Sequence, residues 1–162
     1  AADGLATFEF PHLLRLMQGN QFDTIYHEHF SYFSLVAVAR VFAQHGRDVF
    51  DVEELPTHGG SLRLYVQHRT GGRRALSPRV AALRAAEEKA GLLDLATYQR
   101  FQEQVHATKR DLLRFLVEAK AAGKRIAGFG APGKGNTLLN YCGIGTDFLD
   151  FTVDSNPAKQ GT

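Results

Sequence analysis

Near the end of the chain, a glycine-rich loop lies between two short apolar segments and restricts that region to an α/β arrangement. Arg125–Phe129 and Phe148–Asp154 have the composition of β-strands, and the loop Gly130–Gly135 leads into a helical stretch at Asn136–Tyr141. A strand, a helix and a second strand at this spacing form a right-handed crossover. The two strands are therefore predicted to be parallel neighbours in one sheet.

The loop has the residue types of an anion-binding site. Gly130 and Gly133 complete a G-x-G-x-x-G pattern, and Asp154 ends the next strand, where dinucleotide-binding folds hold a ribose. The same stretch has P-loop spacing up to Lys134, but Gly135 stands where a P-loop needs a magnesium-binding hydroxyl. Backbone amides, a helix N-terminus and a lysine attract an anion in either case. The alternative is a tight strand-to-helix turn that binds nothing.

A second group of ionisable residues lies in Tyr26-His27-Glu28-His29, a stretch with no clean helical or strand period. Two histidines at i and i+2 with a carboxylate can hold a metal ion. They can also supply a general base that the carboxylate orients. Two surface histidines in a loop are the third interpretation. No neighbouring cluster of metal-ligating residues completes a metal set, which weakens the metal interpretation.

The middle of the chain predicts an antiparallel strand pair. Asp48–Leu55 and Ser61–Gln67 have strand patterns, and the turn Pro56–Gly60 joins them. This turn carries His58, and Arg63 follows it, so the pair can bind an anion. A hairpin turn needs no such function, and this second interpretation is favoured.

Along the sequence, a further strand and several helices are predicted before and after this pair. Leu5–Phe10 predicts a buried strand, and Ser34 is expected to cap a helix that ends at Gly46. Pro78–Lys89 and about Asp94–Ala122 have helical composition. Between the strands and these helices, residues 70–74 read as a linker.

Composition narrows the class of protein. The formal net charge of +2 gives no reason to predict nucleic-acid binding, and no run approaches the roughly 18 apolar residues of a membrane span. The single cysteine, Cys142, excludes an internal disulfide and a cysteine-ligated zinc site within this chain. Ala1–Gly4 lack the basic start and the apolar stretch of a signal peptide, so none is expected at this point of the sequence. A cytoplasmic location is therefore expected.

Five motifs, taken in order, resemble the S-adenosylmethionine-dependent sugar C-methyltransferases, which act on nucleotide-linked deoxysugars. The motifs are Phe22–His29, Ser31–Leu35, His58–Arg63, Gly130–Gly143 and Val153–Gly161. They cover nearly the whole chain and are specific in combination. One departure is Gly133, where the family pattern has alanine, so the perfect dinucleotide pattern is partly accidental.

The resemblance implies a domain order. In that family a cysteine-rich zinc module precedes a class I methyltransferase domain and a second Rossmann-like domain. Residues 1–70 would then finish the methyltransferase sheet, 71–122 would form a helical connector, and 123–162 would begin the second Rossmann-like domain. The S-adenosylmethionine motif and the zinc ligands are expected before residue 1, and this chain alone is expected to be inactive.

The resemblance also implies a reaction, the methylation of a carbon next to the ketone of a 4-keto sugar carried on a nucleoside diphosphate. His29 is implied as the base, and Tyr26 and Glu28 as contacts of the sugar or its oxyanion. In a straight strand His29 would point away from the other two, so this role requires a turn. The expected substrate-binding residues are Gly130, Gly133, Lys134, Asn136, His58 and Arg63. The alternatives are a non-catalytic nucleotide-binding module and an NAD-dependent oxidoreductase.

Overall fold

The computed structural model describes residues 3–71 and 74–161, so two residues of the expected linker, Gly72 and Arg73, lie outside the described residues. The strands are β1 (Leu5–Pro11), β2 (Arg47–Leu55), β3 (Ser61–His68), β4 (Ala127–Phe129) and β5 (Phe151–Val153). The helices are α1 (Leu13–Gln18), α2 (Leu35–Gln44), α3 (Pro78–Lys89), α4 (Leu95–Ala121) and α5 (Gly133–Cys142). The fold is therefore mixed α/β, as the sequence predicted at this level. Across residues 3–71 and 74–161, no helix combines the length and apolar character of a membrane span.

The chain divides into two compact units. The first, here the sheet unit, comprises Ala1–Gln21 and Ser31–Phe101. The second, here the glycine-loop unit, comprises Phe22–Phe30 and Gln102–Thr162. A short segment from early in the sequence is thus part of the same unit as the glycine-rich loop.

The sheet unit is built on three antiparallel strands in the order β1-β3-β2. The predicted pairing of β2 with β3 is confirmed. A bulge between Val49 and Asp51 interrupts the alternation of β2. As a result Val49 and Val52 are both buried against the core, which strict alternation would have prevented.

The buried strand predicted at Leu5–Phe10 is largely exposed. β1 is at the edge of the described sheet and pairs only with β3, so Leu5 and Phe8 are exposed at 48 % and 43 %. Apolar composition predicted the strand correctly. It did not predict burial, because burial depends on what covers the sheet face rather than on the strand itself.

The helix α2 begins and ends as predicted. The Ser34 hydroxyl accepts a hydrogen bond from the Ala37 amide at 3.2 Å, and Gly46 has φ +65°. Leu35 and Val38 pack on the sheet with Leu62 and Leu64 of β3. This apolar face buries α2 against the sheet.

A buried ionisable pair ties α3 to the start of α2. Glu87 of α3 and His12 are both 0 % exposed, and His12 Nε2 donates to Glu87 Oε1 at 2.9 Å. The same carboxylate accepts the amides of Leu35 at 2.7 Å and Val36 at 2.8 Å. Since the first amides of a helix have no intrahelical partner, Glu87 supplies acceptors that α2 lacks.

The glycine-loop unit contains the predicted parallel pair. Ala127, Gly128 and Phe129 of β4 pair with Phe151, Thr152 and Val153 of β5. Both strands are shorter than predicted. The helix α5 begins at Gly133, three residues earlier than the predicted Asn136. The loop therefore shortens to 130–132, and Lys134 lies in the first helical turn.

Candidate active site

The segment before the histidine motif is anchored on α5. A 3-10 turn at Phe22–Thr24 buries the Phe22 and Thr24 side chains. The Phe22 ring lies 5.2 Å, centroid to centroid, from the ring of Tyr141. Lys109 donates to the Tyr141 carbonyl at 2.8 Å and sits over its ring. Aromatic packing therefore fixes the position from which the motif starts.

The motif itself forms a turn. The His29 amide donates to the Tyr26 carbonyl at 3.0 Å, which closes a four-residue turn with His27 and Glu28 at its centre. The Tyr26 hydroxyl donates to Glu28 Oε2 at 3.2 Å, and the Tyr26 and His29 ring centroids are 5.3 Å apart. The turn thus brings Tyr26, Glu28 and His29 together, as a shared role requires.

The electrostatics of the turn keep the phenol protonated. Partial burial raises the pKa of Tyr26 above its ordinary value, and the hydrogen bond and negative charge of Glu28 raise that pKa further. At neutral pH Tyr26 is therefore a hydrogen-bond donor. Within residues 3–71 and 74–161, no three His, Cys, Asp or Glu side chains are grouped so that they could hold a metal ion.

The start of α5, directly after the glycine-rich loop, lies against this turn. A Cβ added at Gly133 would be 3.5 Å from Cε2 and 3.7 Å from Cζ of Tyr26, which is ordinary van der Waals contact. The Tyr26 ring thus packs beside the first residue of α5. Two motifs far apart in the sequence form one neighbourhood within the glycine-loop unit.

The loop turns sharply at one glycine. Gly130 has φ +85°, and its amide donates to the Val153 carbonyl at 2.7 Å. The first turn of α5 then carries Lys134 and Asn136 beside the helix amides. Among the described residues, the Lys134 ammonium has no ion-pair partner within 4.0 Å. The helix dipole and this cation favour an anion at the same place.

Asp154 faces the loop. Its Oδ2 accepts the Ala131 amide at 2.7 Å, and its Oδ1 accepts the Asn156 amide at 2.8 Å. These two backbone hydrogen bonds, with the Lys159 ammonium, lower the pKa of Asp154 below its ordinary value. In a dinucleotide site this carboxylate would instead receive ribose hydroxyls.

His58 and Arg63 belong to the sheet unit. His58 has φ +53° in the turn between β2 and β3. The Arg63 guanidinium lies 2.9 Å from a Glu9 oxygen and 3.7 Å from a Glu53 oxygen. Arg63 is thus surrounded by carboxylates of the neighbouring strands.

One residue that sequence reasoning missed is Lys159. Its ammonium donates to the Ala131 carbonyl at 2.7 Å and lies 3.4 Å from Asp154 Oδ2. The lysine follows Asp154 at a distance that a short 3-10 turn, Pro157–Lys159, can span. Asn156 caps that turn through the Ala158 amide at 3.0 Å. The Asp-x-Asn-Pro pattern was the signal for this turn, because Asx residues before proline favour turns.

The two glycines that frame the loop are expected to respond differently to alanine. Gly130→Ala forces a side chain into the left-handed region, at a cost of about 1–2 kcal/mol. Gly133→Ala meets only ordinary contacts and reduces the conformational freedom of the unfolded chain at the first residue of α5, which adds about 0.4–1 kcal/mol of stability. Thermal unfolding of both variants measures the contrast. A Gly133→Ala protein that melts below the parent, or an unchanged Gly130→Ala protein, would contradict this geometry.

The comparisons with known proteins identify the family. Residues 56–162 match the family model described as the C-methyltransferase C-terminal domain, and the chain belongs to this family. The C-methyltransferase membership that the motifs indicated is confirmed. The chain is also similar to the C-methyltransferase NovU of Streptomyces niveus, with 42 % identity over 164 residues. That match covers 99 % of this chain and 38 % of the relative's length.

Proposed function

We propose that the protein containing this chain is an S-adenosylmethionine-dependent C-methyltransferase. Its proposed substrate is a 4-keto deoxysugar carried on a nucleoside diphosphate, methylated at a carbon next to the ketone. Family membership supports the reaction class. The observation that carries the assignment of residues is the turn Tyr26–His29 packed beside the glycine-rich loop.

His29 is the proposed general base. An imidazole works near neutral pH, and removal of the proton next to a ketone gives an enolate whose carbon can accept a methyl group. His29 is partly buried beside the Tyr26 ring, so the imidazole has a fixed aromatic wall on one side. His27 lies exposed at the centre of the turn.

Tyr26 and Glu28 are the proposed contacts of the sugar. The Tyr26 phenol is protonated at neutral pH and can donate a hydrogen bond to the developing enolate oxygen. In the structure this hydroxyl donates its one hydrogen to Glu28, so the proposed contact requires the hydroxyl to turn that hydrogen from Glu28 to the enolate oxygen when the sugar binds. Loss of the hydroxyl in Tyr26→Phe should therefore slow proton removal more than it weakens substrate binding.

The first turn of α5 is the proposed diphosphate site. Lys134, Asn136 and the helix amides form a cationic end beside Tyr26. A role for His58 and Arg63 in substrate binding stays a prediction.

The glycine-rich loop does not fit the methyl donor. Asp154, which would hold a cofactor ribose, uses both oxygens for the Ala131 and Asn156 amides. The loop is therefore a poor fit for S-adenosylmethionine or NAD, and the oxidoreductase alternative is not favoured. The donor supplies an electrophilic methyl group, and we assign it no residue here.

Replacement of Lys134 tests the diphosphate site. In the full-length protein, Lys134→Ala should weaken binding of UDP-glucose or dTDP-glucose about 10- to 100-fold, because a charge-assisted contact of about 1.5–3 kcal/mol is lost. Isothermal titration calorimetry measures the affinities. NAD and magnesium-ATP serve as comparison ligands, and neither should show an affinity that depends on Lys134.

Lys124→Ala is the matched control, since it removes the same charge from an exposed residue of the same unit. It should leave the affinity for the sugar nucleotides unchanged. Equal affinities of the Lys134→Ala protein and the parent for all ligands would mean that the glycines form a packing turn. The diphosphate assignment would then be wrong.

A further inference from the structure

The backbone of Ala131, in the middle of the loop, is held on both sides by the segment after β5. Its amide donates to Asp154 Oδ2 at 2.7 Å, and its carbonyl accepts from Lys159 Nζ at 2.7 Å. The lysine and the carboxylate lie 3.4 Å apart, so the three groups close a ring of polar contacts. With the amide and the carbonyl of Ala131 both engaged, the two peptide groups that flank this residue have a fixed orientation.

Asp154 is itself held in place by the residues that follow it. Asp154 Oδ1 accepts the Asn156 amide at 2.8 Å, and the Gln160 side chain donates to the Asp154 carbonyl at 3.1 Å. The Asp154 side chain is only 14 % exposed. Its carboxylate accepts hydrogen bonds from two backbone amides. The Ala131 amide is therefore already bonded to Asp154 and does not face a ligand.

From these contacts we propose that Asp154 and Lys159 are positioning residues, which fix the 130–132 loop so that Lys134 and the α5 amides face the substrate diphosphate. This inference rests on the proposed diphosphate site. The inference gives these residues two different roles. Lys134 touches the diphosphate, whereas Asp154 and Lys159 act on the diphosphate only through Ala131.

The sign of the Asp154→Asn effect separates positioning from direct electrostatics. Removing a negative charge near a bound diphosphate should strengthen binding if only the charge matters. An asparagine cannot accept both the Ala131 and Asn156 amides with one oxygen in the present geometry, since its amide group is a donor. One backbone donor is then left unpaired and the loop shifts. Positioning therefore predicts weaker binding, by about tenfold.

The experiment measures UDP-glucose and dTDP-glucose affinity in the full-length protein. Asp154→Asn and Lys159→Met should each weaken binding about tenfold, and the double variant should be no weaker than either single variant, because both act on the backbone of Ala131. Lys159→Arg retains a cationic donor and should restore most of the affinity. In turnover, KM should rise while kcat changes little.

Asp150→Asn is the matched control in the same unit. Asp150 pairs with Lys120 and Arg125 at 3.1 Å, so its loss removes a similar carboxylate without touching the loop. The control should keep the parent's affinity even if its melting temperature falls. If Asp154→Asn does not fold, Asp154→Glu replaces it: this variant keeps the charge but moves the carboxylate by one methylene, so positioning predicts weaker binding, whereas a direct contact of Lys159 with the diphosphate predicts unchanged binding.

Three results would overturn the proposal. Stronger or unchanged binding in Asp154→Asn would remove the positioning role. Weaker binding in Lys159→Met alone would make Lys159 a direct ligand of the diphosphate. Full affinity in Lys134→Ala would contradict the diphosphate site and this inference with it. Loss of affinity in Lys134→Ala with full affinity in Asp154→Asn would contradict only the positioning role and would leave the diphosphate site supported.

Discussion

His29→Ala in the full-length protein is expected to lower turnover by about 10²- to 10⁴-fold, the usual cost of removing a general base. The turn closed between Tyr26 and His29 brings the imidazole beside the phenol and carboxylate that would contact the sugar. Steady-state methyl transfer to a nucleotide-linked 4-keto sugar measures the loss. S-adenosylmethionine affinity should remain close to that of the parent, since no residue of this turn is assigned to the donor.

His27→Ala is the control for this prediction, because His27 is exposed at the centre of the same turn. It removes an imidazole with little change to buried packing and should keep most of the activity. Near-normal turnover in His29→Ala, together with an inactive His27→Ala protein, would show that His27 is the base and that the assignment to His29 is wrong. Loss of activity in both would instead indicate that the turn itself needs its two rings.

Local sequence signals predicted local structure well. Ser34 and Gly46 gave the ends of α2, because a cap depends on one residue and its nearest amides. The alternation in β2 and β3 gave their pairing, because a short turn forces adjacent strands together. The same alternation did not predict the bulge near Val49, since nothing in an alternating pattern marks an inserted residue.

Contacts between distant segments were beyond these signals. The packing of Tyr26 beside Gly133 joins two motifs through the fold, and no local pattern in either motif encodes the other. The position of Asp154 after a strand predicted a ribose acceptor, whereas in the structure its carboxylate accepts the Ala131 amide. The resemblance to a family implied that the two motifs serve one enzyme, but it did not indicate which of their side chains are in contact.

Glu87 is a third example, and substituting it should produce the largest loss of stability. Glu87-Glu88-Lys89 has the composition of an exposed helix end, yet Glu87 is 0 % exposed and accepts hydrogen bonds from His12, Leu35 and Val36. Glu87→Leu would leave these three buried donors without their acceptor. We expect destabilisation of about 3–5 kcal/mol, as found when one partner of a buried pair is removed. Thermal unfolding should show a drop of about 6 to 20 °C for a domain of this size.

Glu88→Gln is the matched control, since Glu88 is adjacent, exposed and paired with Arg84 at i,i+4. An exposed helical pair contributes about 0.3–0.5 kcal/mol, so this variant should melt close to the parent. The double variant His12→Leu with Glu87→Leu should recover part of the loss of Glu87→Leu, because it removes the orphaned imidazole and leaves only the two α2 amides unpaired. Equal melting temperatures for Glu87→Leu and Glu88→Gln would show that the buried carboxylate contributes nothing to stability, because water or a neighbouring group then satisfies the three donors as well as Glu87 does.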